Sequence, residues 1–140
     1  MRLDSFARDH RSLVLWATDC AEHVLPYFEK KYSKDNRPRN AVESGRAWVR
    51  GEISTSEARA AASAAHAAAR DADHAAARAA RGAGHAAATA HVAARSKHAA
   101  NYAVTVANDS AAAAAWERDW QYRRLPKHLR PVAFPAGGNN

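Results

Sequence analysis

Between Thr55 and His91 the chain contains no leucine, isoleucine, valine, phenylalanine, tryptophan or tyrosine. The stretch is mostly alanine, interrupted by Arg, His, Ser, Asp and Gly. Alanine has the highest helix propensity and loses no side-chain entropy on burial. Each alanine buries little area, so such a helix gains little hydrophobic energy by itself and must pack closely against neighbours. Across the whole chain 38 of 140 residues are alanine. A length of 140 residues suits one domain. The sequence therefore predicts an all-α, single-domain, alanine-rich bundle of about five to six helices over residues 1–130. A flexible tail is expected at 131–140, where Pro131, Pro135 and two glycines fall. Trp16, Trp48, Trp116 and Trp120 favour a closed bundle over a long solvated helix, because they supply large apolar anchors at both ends.

Local signals place the elements. Leu13, Trp16, Ala17, Cys20 and Val24 follow the spacing of a buried stripe and predict a first helix from about Asp9 to Val24. Pro26 ends or kinks it, and Tyr27, Phe28 and Tyr32 suggest a further turn or two. Residues 33–39 read as a loop. A second helix over 38–50 starts with Pro38 in its first turn and is capped by Gly51. Ser54 with Glu57 matches the capping box and opens a helix to about Ala72. Another helix covers about Asp73 to Arg81, is interrupted at Gly82 and Gly84, and gives way to a stretch from Gly84 to Ala107. Asp109 or Ser110 is expected to cap the last long helix, which ends before Pro126. The arginine, alanine and histidine texture shows no fixed repeat period.

The net charge is +7. Such a balance suits nucleic acid, anionic surfaces or an acidic protein without choosing among them. Cys20 is the only cysteine. That rules out an internal disulfide and a cysteine-based zinc site, and it fits a reducing compartment. No apolar leader precedes His10 and no run reaches a membrane span, so a cytoplasmic location without membrane contact is expected.

The eight histidines stand out. His91 and His98 share a face if the helix is continuous, as do His85 and Thr89, whereas His85 and His91 point about 120° apart on an ideal helix. A metal site would have to gather His66, His85 and His91 from different helices, which a bundle allows. No cofactor is predicted, and a bound metal stays an open alternative. Asp19 and His23 stand at i, i+4 and could pair. Cys20, between Trp16 and Val24, reads as a small buried residue rather than a nucleophile. Glu43, Arg46 and Arg50 form a charged strip that could clamp an acidic group or simply be solvated. Trp116 and Trp120, at i, i+4, read as a core stripe. Their neighbours Arg118, Arg123 and Arg124 leave single-stranded nucleic acid as a weaker alternative.

Several segments carry a family resemblance. The run Leu15-Trp16-Ala17-Thr18-Asp19-Cys20-Ala21-Glu22-His23-Val24-Leu25-Pro26 resembles the opening of the Imm-5-like family of bacterial immunity proteins. So do Arg37-Pro38-Arg39 leading to Arg46-Ala47-Trp48, and His66-Ala67-Ala68-Ala69-Arg70. Gly84-His85-Ala86-Ala87-Ala88-Thr89-Ala90-His91-Val92 and Trp120-Gln121 with Leu125-Pro126 complete the likeness, which spans about residues 12 to 132. The resemblance implies an all-helical fold and a protein partner, a toxin that the chain neutralises. It singles out Asp19, His66, His85 and His91 as the polar residues inside the motifs, with Arg46 and Thr89 as further ligand or partner candidates. Three readings follow. First is an interaction protein of the immunity type. Second is a small-ligand or metal-binding protein or enzyme using His66, His85 and His91. Last is nucleic-acid binding through the arginine-rich faces. Alanine-rich faces also pack well between subunits, so a homodimer is compatible with the sequence.

Overall fold

Helix α1 spans Arg2–Val24, seven residues earlier than the apolar stripe suggested. That stripe begins at Leu13, where α1 first meets the core, and so it reports burial rather than the helix start. The computed structural model describes residues 2–107 and 111–135, and the side chains of 5–107 and 112–135. Among these residues every regular element is helical, with eight α-helices rather than five to six. Two of them are single turns: α2 (Pro26–Glu29), which Pro26 opens, and α8 (Arg130–Ala133). The six longer ones are α1, α3 (Arg37–Val49), α4 (Thr55–Arg70), α5 (His74–Ala88), α6 (Arg95–Val106) and α7 (Ala111–Arg124). The expected caps Asp109 and Ser110 lie outside the described residues.

Two predicted boundaries are built by the expected chemistry. Gly51 closes α3 at φ +76°, a left-handed conformation that glycine adopts without steric cost. Its amide donates to the Trp48 carbonyl and the Glu52 amide to that of Ala47, the Schellman pattern. At α4, the Ser54 hydroxyl accepts from the Glu57 amide at 3.1 Å while the Ser54 amide donates to the Glu57 carboxylate at 3.0 Å. Both halves of the capping box are therefore made.

Helix α5 sits at the centre, packed against α1, α2, α3, α4 and α6. Its buried residues are Ala76, Ala79, Ala80, Gly82, Ala83, Gly84, Ala86 and Ala87, a broad face of about 200° on an ideal helix. His74, Arg78, Arg81 and His85 lie on the opposite face. Here the small side chains let the surrounding helices come close and supply the larger groups. Leu13, Val14, Trp16, Val24, Leu25, Phe28 and Val42 come from α1 to α3, and Leu125 and Leu129 from the C-terminal end.

The expected interruption at Gly82 and Gly84 does not occur, because α5 continues through both. A Cβ on Gly84 would come within 2.7 Å of the His66 ring. Glycine serves there for close approach of α4, not for a turn. The break falls instead at 89–94. The Thr89 hydroxyl donates to the His85 carbonyl at 2.9 Å, a local bond that competes with the helical ladder. The Thr89 carbonyl accepts from the His10 ring of α1 at 2.6 Å.

Candidate functional site

Two clusters gather the residues singled out by sequence. The first lies between α4, α5 and the start of α6. His66 on α4 and His85 on α5 meet edge to face, with ring centroids 4.9 Å apart. His98 stands 5.1 Å from His85, and Tyr102 stacks on it at 5.5 Å. The His66 and His85 rings border a cavity of about 270 Å³ that Arg59, Ser63, His91 and Arg95 also line. His66, His85 and His91 therefore line one cavity. His91 does so from the turn after α5, where it is exposed. It shares no helix face with His98, because the chain is not helical between them. Thr89 is fully buried and serves the end of α5. Sequence spacing missed His98, Tyr102, Arg59 and Arg95, since nothing local marks residues on three elements as neighbours.

Burial first, then the nearby His66, His98, Arg95 and Arg81, push the His85 pKa down from its ordinary 6.5 to about 4. Burial also lowers His66, with Arg81, Arg70 and Arg95 adding to it. Both favour the neutral ring. Among the described residues no three His, Cys, Asp or Glu side chains are grouped to hold a metal ion. The surrounding guanidiniums also disfavour a cation.

The lowered His85 value makes a pH prediction. The unfolded chain takes up a proton near pH 6.5 that folded His85 refuses until about pH 4. Its contribution to stability is complete above pH 6.5 and declines as the pH falls toward 4. Thermal unfolding followed from about pH 7 to 4.5 should show this decline, and His85→Gln should flatten it. Parallel slopes for both proteins would show that His85 does not set it.

The second cluster joins α1, α3 and α7. The Arg46 guanidinium donates to Asp19 and Glu43, each at 3.1 Å, and to Glu22. Arg39 pairs with Glu22 and Glu29, each at 2.9 Å. Arg124 reaches Asp19 at 3.2 Å. Burial raises the Glu22 pKa, but the donors on Arg39 and Arg46 outweigh it and hold the carboxyl below its ordinary value. The expected Asp19–His23 pair is not formed. Asp19 is taken by arginines, and His23 bonds Glu117 at 2.7 Å. The arginines of the charged strip on α3 are thus paired with carboxylates of the same chain. Arg50, the strip's other end, pairs with Glu52 at 2.9 Å. Burial pushes the Cys20 thiol up, and Glu117 and Asp19 add to the effect, so the thiol is a poor nucleophile.

Helix α7 bears out the tryptophan stripe only at Trp120, which is half-buried against the core. Trp116 is 58% exposed, whereas Glu117 is 2% and Gln121 0% exposed. The buried face of α7 is therefore polar and then apolar: Glu117, Gln121, Leu125. It faces polar groups that need partners. The Trp16 indole donates to the Gln121 carbonyl at 2.8 Å, and the Gln121 amide donates to the Ala100 carbonyl at 2.9 Å. Hydrogen-bond demand from α1 and α6 overrides hydrophobic spacing.

Fold and clusters define an all-α protein built around a central alanine-rich helix, with its motif residues meeting in pairs: Asp19 with Arg46, Trp16 with Gln121, His66 with Gly84. The chain belongs to the Imm-5-like family: the family model described as "Imm-5 like putative immunity protein" matches residues 6–128. No curated protein and no solved structure matches it. Among the described residues no helix is long and apolar enough to cross a membrane.

Proposed function

We propose that this protein is an immunity protein that neutralises a toxin by binding it directly, through the face where α7 crosses α1. Family membership carries this reading. The exposed Trp116 supports the choice of face. It lies beside His23, at 5.8 Å between ring centroids, and Trp120 flanks the same imidazole at 4.4 Å. Exposed tryptophan and arginine are the residues that most often dominate protein interfaces. The net charge of +7 suits an acidic partner surface.

Co-expression with the products of the genes that neighbour its own tests the proposal, one of them being expected to be toxic alone. Growth should be protected and the two proteins should co-purify. Trp116→Ala should leave the fold intact and weaken the complex by about 30-fold or more, the scale of an interface hot spot. Absence of both protection and complex would overturn the immunity reading. An intact complex with Trp116→Ala would move the interface off this face. Binding to nucleic acid that falls steeply with salt would instead favour the arginine-rich faces as the working surface.

A further inference from the structure

The cavity between α4, α5 and α6 differs electrostatically from the charged cluster on α3. On α3 the guanidiniums of Arg37, Arg39 and Arg46 each meet one or more carboxylates. Arg59 and Arg95 line the cavity, and among the described residues neither forms an ion pair. No acidic side chain lines it, and its remaining wall is Ala62, Ala88 and Val92 beside Ser63. Two unneutralised guanidiniums over a partly apolar floor form a site of uncompensated donors.

The two imidazoles add to this. The Nδ1 atoms of His66 and His85 are sealed from solvent and have no hydrogen-bond partner. An orphaned N–H is a rarer defect than an orphaned acceptor, so each ring keeps a bare lone pair at Nδ1 and its proton on Nε2. Charging either ring would place a second N–H at the sealed nitrogen, in agreement with the lowered pKa of both. Both rings therefore favour the neutral form, and the positive charge comes from Arg59 and Arg95. A cavity of about 270 Å³ suits a small ligand.

We propose that this cavity binds a small anion bearing a carboxylate or phosphate group, held by Arg59 and Arg95 beside the neutral rings of His66 and His85. The proposal is independent of the immunity reading. Its test uses the untagged full chain, titrated with inorganic phosphate and, separately, with acetate. Sodium chloride at matched ionic strength is the control. The imidazole resonances of His66 and His85, assigned with His66→Gln and His85→Gln, report binding. Saturable shifts with phosphate or acetate, absent with chloride, are expected. The stronger of the two anions identifies the ligand as phosphoryl or carboxylate. The double variant Arg59→Gln/Arg95→Gln changes two exposed residues and should keep its helical circular dichroism while weakening binding about tenfold or more. Shifts reproduced by chloride, no shifts at all, or undiminished binding in the double variant would overturn the proposal.

Discussion

Trp16→Ala is expected to lower the unfolding free energy by about 3–5 kcal/mol, the range for removing a large aromatic from a core. Trp16 is 2% exposed. It is one of the few large side chains in a core otherwise dominated by alanine, so its removal takes a disproportionate share of the buried apolar area. Its indole also donates to the Gln121 carbonyl, and its ring meets that of Phe134 edge to face at 6.0 Å. Alanine would thus leave a cavity at the junction of α1 and α7 together with the loss of a buried hydrogen bond. Urea unfolding at neutral pH measures the effect. A loss below about 1 kcal/mol would mean that the helices close over the gap and that α7 is held by other contacts.

Gln121→Leu, which roughly conserves volume, should cost about 2–4 kcal/mol despite adding apolar character. The Gln121 amide donates to the buried Glu117 carboxylate at 3.0 Å and to the Ala100 carbonyl at 2.9 Å, and its oxygen accepts from Arg118 at 2.9 Å. Leucine would leave Glu117 buried with His23 as its remaining partner and would strand the inner face of α7. Unsatisfied buried polar groups cost more than the added apolar contact returns, above all when one is charged. Equilibrium unfolding of the variant decides between the two effects. A more stable variant would mean that Glu117 is relieved by another donor.

These two positions also show where residue patterns lose their power. Ser54 with Glu57, and Gly51, were legible because the residues that make each cap lie within a few positions of one another. The all-helical class was legible because alanine content acts through backbone propensity, which needs no partner. Trp116 and Trp120 follow the spacing of a buried stripe, yet Trp116 is largely exposed. The inner face of α7 was chosen by the hydrogen-bond needs of α1 and α6. Likewise Gly82 and Gly84 look like helix breakers in sequence, whereas in space Gly84 makes room for the His66 ring. Asp19 met Arg46 rather than His23, because α3 brings a guanidinium to the same carboxylate.

Local propensity, capping chemistry and short motifs were enough to show that the chain is helical, where several helices begin and end, and which family it belongs to. The tertiary structure alone decided that α5 lies at the centre, that its break falls at 89–94 with a carbonyl held by His10, and that His66, His85 and His91 line one cavity with two unpaired arginines. In an alanine-rich chain the buried faces carry little size contrast. Which helix faces meet therefore depends on the few large and polar side chains and on how closely the small ones let the backbones approach.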